Sequence, residues 1–168
     1  MLGIIHRFLP GVAAGLVATV PMTLLMEWWH RRLPRSQQYP LPPSEIVDEL
    51  ADRTGLEVPQ DPSRHAAITL AAHFAYGGAA GAPYALVAPR GHVASAAMGG
   101  AYGLGVWTLS YLGLLPVLGV LRPATEHPAE RTQLMLGAHV VWGLALGFAL
   151  AQLRRPSISS RSSESGHL

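Results

Sequence analysis

Charged and apolar positions along the 168-residue chain are sharply separated. Four stretches, at about 8–26, 65–88, 92–115 and 132–153, contain no Asp, Glu, Lys or Arg, and every charge falls between or beyond them. A hydrocarbon core of roughly 30 Å takes about 20 apolar residues in a helix, so each stretch is long enough to span one. The pattern predicts an all-α protein: a four-span transmembrane helical bundle in one domain over 1–153. The third apolar run continues through PVLGVL to Leu121. Pro116 and the excess length place that piece at the interface or fold it back as a short irregular segment. The first stretch, behind the weakly basic MLGIIHR, also has the form of a secretory signal. No small-x-small cleavage site is well placed after it, and its length favours a span.

Within the first loop, PPSEIVDELADRTG predicts a short amphipathic helix at about 44–54. Ser44 is its expected N-cap, acids fill the first turn and Gly55 ends it. Ile46, Val47, Leu50 and Ala51 make one apolar stripe, with Glu45, Asp48, Glu49 and Asp52 opposite. That stripe either caps the protein's own bundle or docks a partner. The last segment, 154–168, is Ser-rich and polar and is expected to be disordered.

Composition sharpens the membrane expectation, since 49% of residues are hydrophobic and only 13% charged, where soluble domains carry about a quarter charged. All twelve basic residues are arginines, a bias that together with the Gly and Ala content suggests a bacterial source. They are scattered over loops rather than gathered into a stripe, which excludes a nucleic-acid footprint. Arg31, Arg32 and Arg35 follow the first span directly, so the long loop 27–64 is expected in the cytoplasm. Without cysteine there is neither a disulfide framework nor a thiolate metal site.

Each span carries Gly-x-Ala-x-Gly once: Gly11 and Gly15, Gly77 and Gly81, Gly99 and Gly103, Gly143 and Gly147. Gly11 and Gly77 are 66 residues apart and Gly99 and Gly143 are 44 apart, so two hairpins would differ by an insertion about the size of the loop helix. The expectation is a tandem two-plus-two hairpin repeat. Glycines at i and i+4 let helix backbones approach closely where no hydrophobic effect drives association, and they mark expected helix-packing faces.

The second and fourth spans are alike in more than glycine, since AHFAYGGAAG at 72–81 aligns with AHVVWGLALG at 138–147. His73 and His139 each lie four residues before the first glycine and so on the glycine face, pointing into the bundle. Ionisable groups inside a bilayer face partners or a water-filled cavity. The pair could therefore hold a metal or line a pathway for a small solute or protons. Alternatively, each imidazole hydrogen-bonds across a helix interface and does no more. A second candidate metal cluster combines Glu27 and His30, spaced as E-x-x-H, with Glu126 and His127. Its plainer account is a set of solvated groups at span ends. No phosphate loop, dinucleotide fingerprint, nucleophile elbow or H-E-x-x-H occurs, and no span carries a charge near its middle. No catalytic residue and no cofactor is indicated.

LPRSQQYPLPPSEI after the first span and GAHVVWG in the last resemble the YagU-like family of bacterial inner-membrane proteins, over about residues 8–153. The resemblance implies an inner-membrane location and carries over neither an activity nor a site residue. The sequence therefore points to a multi-pass inner-membrane protein that associates through its glycine faces with a second copy or with another membrane protein. A solute or proton pathway and a metal-binding protein are its rivals.

Overall fold

The structure, a computed structural model, describes residues 2–59 and 61–155, without the side chains of residues 2–5. From residue 156 on, the expected polar tail lies outside the described residues. The chain is all-helical, with no strand among the described residues. Helix α1 covers Leu2–His30, α2 Pro42–Thr54, α3 Pro62–Val87, α4 His92–Thr108 and α6 Ala129–Leu153; a π-helical stretch, Leu109–Leu114, joins α4 to the short α5, Leu115–Val117. By length and composition, His6–His30 of α1 and Ala129–Leu153 of α6 are able to cross a membrane.

Helix boundaries follow local chemistry, in places not the chemistry expected. α2 starts two residues before Ser44, at the proline pair, with Leu41 in the N-cap position and no side-chain cap. A proline in the first turn loses no hydrogen bond and already has a helical φ, so it displaces Ser44 as the start signal. The expected end does form, with Gly55 left-handed at φ 68°. α3 begins before His65, at Pro62, because the Asp61 carboxylate accepts a hydrogen bond from the Arg64 amide at 2.9 Å. A hydrogen bond from the Ser63 hydroxyl, joined by that from the Arg64 amide, holds the Asp61 carboxyl below its ordinary range. α1 runs four residues past Met26 and carries Glu27, Trp28, Trp29 and His30 on its last turn. After α5 the chain turns at Gly119, whose φ of 67° favours glycine.

Glycine sets how the long helices pair. α1 and α3 run antiparallel with Gly11 against Gly81 and Gly15 against Gly77, so close that a Cβ on Gly11 would lie 2.5 Å from the Gly81 carbonyl oxygen. α4 and α6 meet in the same manner, Gly99 against Gly143 and Gly103 against the His139 backbone. α1 also packs along α6, while the backbones of α3 and α4 barely meet. The order across the bundle is therefore α3, α1, α6, α4, with an open seam between its two outer helices. Large apolar side chains face outward on all four, among them Val17 and Leu24 of α1, Leu86 of α3, Val93 of α4 and Phe148 of α6.

Candidate functional site

The seam holds a cavity of about 350 Å³. α1 lines it with Thr19, Met22 and Met26, α3 with His73, Tyr76 and Gly77, and α6 with Met135, His139 and Trp142. His73 and His139 thus both face one cavity. Periodicity places each on its glycine face, and the helix order brings the two faces to a common space.

α2 lies across the cavity, contributing Pro43, Ile46, Val47 and Leu50 to its lining. The amphipathic stripe caps the protein's own bundle, the first of the two uses the sequence leaves open. Polar contacts hold it there: Arg53 donates to the carbonyls of Leu118 and Gly119 at 2.6 and 2.8 Å, and Asp48 pairs with His65 of α3 at 2.7 Å. On the acidic face, burial raises the Glu45 carboxyl, only partly opposed by Arg131 and Arg122.

At its other end the cavity is blocked. Trp142 stacks on Tyr102 with ring centres 6.3 Å apart, and Tyr102 packs on Tyr84 at 5.0 Å. Tyr102 donates to the Ala80 carbonyl at 2.7 Å, Tyr84 to the Ser95 carbonyl, and Ser95 to the Gly147 carbonyl at 2.8 Å. Tyr84, Leu146 and Leu150 are fully buried. The arrangement is a pocket covered by α2 and closed below, with side walls in the seam where the Tyr76 and Ser110 hydroxyls meet at 2.7 Å.

Several polar groups on the wall are already engaged. The Thr19 hydroxyl donates to the Gly15 carbonyl at 2.8 Å, and His139 Nδ1 donates to the Met135 carbonyl at 2.8 Å. That bond fixes the Nδ1–H tautomer of neutral His139 and leaves its Nε2 as the lone-pair nitrogen. His73 Nε2 and the indole N–H of Trp142 are buried and have no hydrogen-bond partner. Among the described residues, no Asp, Glu, Lys or Arg lines the cavity.

The second expected cluster is divided between a half-buried knot and the surface. His30 Nε2 donates to the Tyr39 carbonyl at 3.1 Å, and the Tyr39 hydroxyl meets His127 Nδ1 at 2.8 Å. Glu27 faces outward and pairs with Arg31 at 3.5 Å, while Glu126 is exposed in the turn before α6. Arg131, which in the sequence is one loop charge among many, is the centre of this region. Its guanidinium donates to the carbonyls of Gln37, Tyr39 and Pro40 at 2.8–2.9 Å and lies 3.5 Å over the Tyr39 ring. Among the described residues, no three His, Cys, Asp or Glu side chains come together as a metal ion would require.

Sequence reasoning also misses Trp142, Tyr76 and Ser110. A signal for the first two exists, because they are the shared aromatic of the repeated segment, one residue before glycine. Comparison with protein-family models, with curated proteins and with solved structures finds no match for this chain.

Proposed function

We propose that the protein is a four-span integral membrane protein, built from a tandem hairpin repeat, that binds a small apolar molecule in the cavity between α3 and α4. The observation that carries this reading is that the duplicated His73 and His139 open on one covered, blind-ended, almost wholly apolar cavity. A blind end supports binding over conduction, because a pathway needs a second opening. Two imidazoles without a third ligand likewise favour a binding pocket over a metal centre.

Membrane placement is supported by the outward apolar side chains on all four long helices, a surface that water would not tolerate. The resemblance to the YagU-like family belongs to the proposal, as does the bacterial inner membrane with the α2 side in the cytoplasm. Association with other chains takes second place because the glycine faces expected to carry it are buried within this one chain.

The test is equilibrium binding of neutral apolar molecules to the protein in lipid nanodiscs, above partition into empty nanodiscs, beside Val106→Trp, which fills the cavity from α4. Saturable binding that Val106→Trp removes while the helical spectrum is retained is the expected outcome. Binding that the variant leaves unchanged would sink the proposal. So would a proton or solute flux in vesicles that depends on both histidines.

A further inference from the structure

We infer that the ligand of this cavity is a neutral alcohol or phenol with an apolar body of about a dozen non-hydrogen atoms, its hydroxyl seated on α6 between Trp142 and His139. The inference rests on the proposed binding role and adds the chemical class of what is bound.

Size comes first. A void of about 350 Å³ divided by the ~30 Å³ that a water-sized group occupies in a liquid leaves room for roughly twelve heavy atoms. It lies near the small end of ligand pockets. Charge comes second: the lining has no acidic or basic side chain apart from the two imidazoles, so an ammonium or carboxylate head would be desolvated without a counter-charge.

The head group follows from which polar atoms are still free. Trp142 is only 2% exposed, yet its indole N–H has no partner. A buried donor of this kind carries a desolvation cost until something accepts from it. Gly77 presents no side chain to it: a Cβ there would lie 3.4 Å from Trp142 Nε1, in space that the Thr19 hydroxyl already borders. One helical turn away on the same face of α6, His139 has its tautomer fixed by the bond to Met135, so Nε2 accepts and does not donate. The Tyr76 and Ser110 hydroxyls bond to each other, Thr19 donates its proton to Gly15, and on α3 His73 Nε2 is also without a partner. What remains on α6 is one obligate donor and one obligate acceptor. A hydroxyl is the neutral group that can accept from the first and donate to the second. Of this α6 pair a ketone can use only the indole, and a hydrocarbon uses neither.

The experiment compares 1-decanol, 2-decanone, undecane and decylammonium as probes for the full-length protein in nanodiscs. Binding is measured above partition into empty discs, with the Trp142 indole N–H resonance followed on titration. One good hydrogen bond is worth about a factor of ten in affinity. The expected result is decanol tighter than undecane by about ten-fold or more and tighter than decanone, decylammonium excluded, and the Trp142 resonance moved by decanol alone. Trp142→Phe and His139→Phe should each erase the preference for decanol while undecane still binds.

Equal binding of decanol and undecane, or decanone tighter than decanol, overturns the hydroxyl inference and leaves the apolar pocket standing. Failure of every probe to bind removes both. Should either variant fail to fold, the indole resonance of the unaltered protein decides, because it stays still on adding decanol if the inference is wrong.

Discussion

The Tyr76 hydroxyl of α3 lies 2.7 Å from the Ser110 hydroxyl at the start of the π-helical stretch, and no glycine face draws the two elements together. With the Tyr102 hydroxyl on the Ala80 carbonyl, this pair closes a seam that the backbones leave open. The α1–α3 and α4–α6 interfaces are backbone against backbone. The seam is bridged by side chains that can rotate, so it is the natural route into the cavity from the side.

Removing that bridge should speed entry more than it weakens the fold. Tyr76→Phe with Ser110→Ala is expected to cost about 1 kcal/mol, the net value of one hydrogen bond. The chain has no cysteine, so Met135→Cys, buried on the cavity wall, can report access through its rate of reaction with an apolar thiol reagent. The rate should rise several-fold in the double variant. An unchanged rate would mean that molecules enter beneath α2 instead.

The glycine contacts give the opposite expectation. At Gly143 a Cβ would collide with the Gly99 carbonyl, a backbone atom that cannot swing aside. Gly143→Ala should lower stability by about 1–3 kcal/mol, the usual cost of overpacking. Ala101, on the outward side of α4, is exposed, and Ala101→Leu should change stability by about 0.5 kcal/mol or less. Denaturation of both variants in detergent measures this. Loss of oligomer at unchanged stability in Gly143→Ala would return the glycines to a role between chains.

Much of this arrangement is legible in the amino-acid sequence. Glycine at i and i+4 names the face of a helix that packs, because the residue's only asset there is the absence of a side chain. The same periodicity puts His73 and His139 on those faces. It does not say that they share one cavity, since a face is a local property and the order α3, α1, α6, α4 is not. Nor does composition distinguish Arg131 from its eleven fellow arginines. Its burial depends on three carbonyls and a tyrosine ring about ninety positions away in sequence. The start of α3 is written in Asp61-Pro62-Ser63, a capping signal that precedes the apolar run and is easily masked by it.

His127 gives the fold a pH dependence whose sign can be stated. Burial, with the positive charges of Arg122 and Arg131 behind it, holds the imidazole below its ordinary value of about 6.5. As pH falls below that value the unfolded chain takes up the proton first. Stability present above pH 6.5 is therefore lost as the pH drops through the lowered folded value. Glu45 works the other way, since its raised carboxyl makes ionisation unfavourable in the fold and protonation a relief. His127→Asn keeps an acceptor for the Tyr39 hydroxyl and cannot titrate, so it should remove the stability loss between pH 6.5 and the lowered folded value. Thermal unfolding of both proteins across that range tests the sign. A variant that loses as much stability as its parent would assign the dependence to another group.

How many helices cross the membrane can be settled by labelling, and the packing makes a definite prediction. By length and composition, α1 and α6 are the helices among the described residues that qualify. Yet α3 is locked along α1 through two glycine contacts a full turn apart, and α4 along α6 in the same way. A helix pressed backbone to backbone on a spanning neighbour shares its depth in the bilayer, and the outward Leu86 and Val93 suit lipid there. Single cysteines at Arg7, Glu57, Arg90 and Glu126 separate the alternatives. With four spans, Arg7→Cys and Arg90→Cys react from one side of a sealed vesicle, and Glu57→Cys and Glu126→Cys from the other. With two spans, Arg90→Cys would react from the same side as Glu57→Cys. That result would leave α3 and α4 outside the bilayer, with their apolar faces in need of another cover.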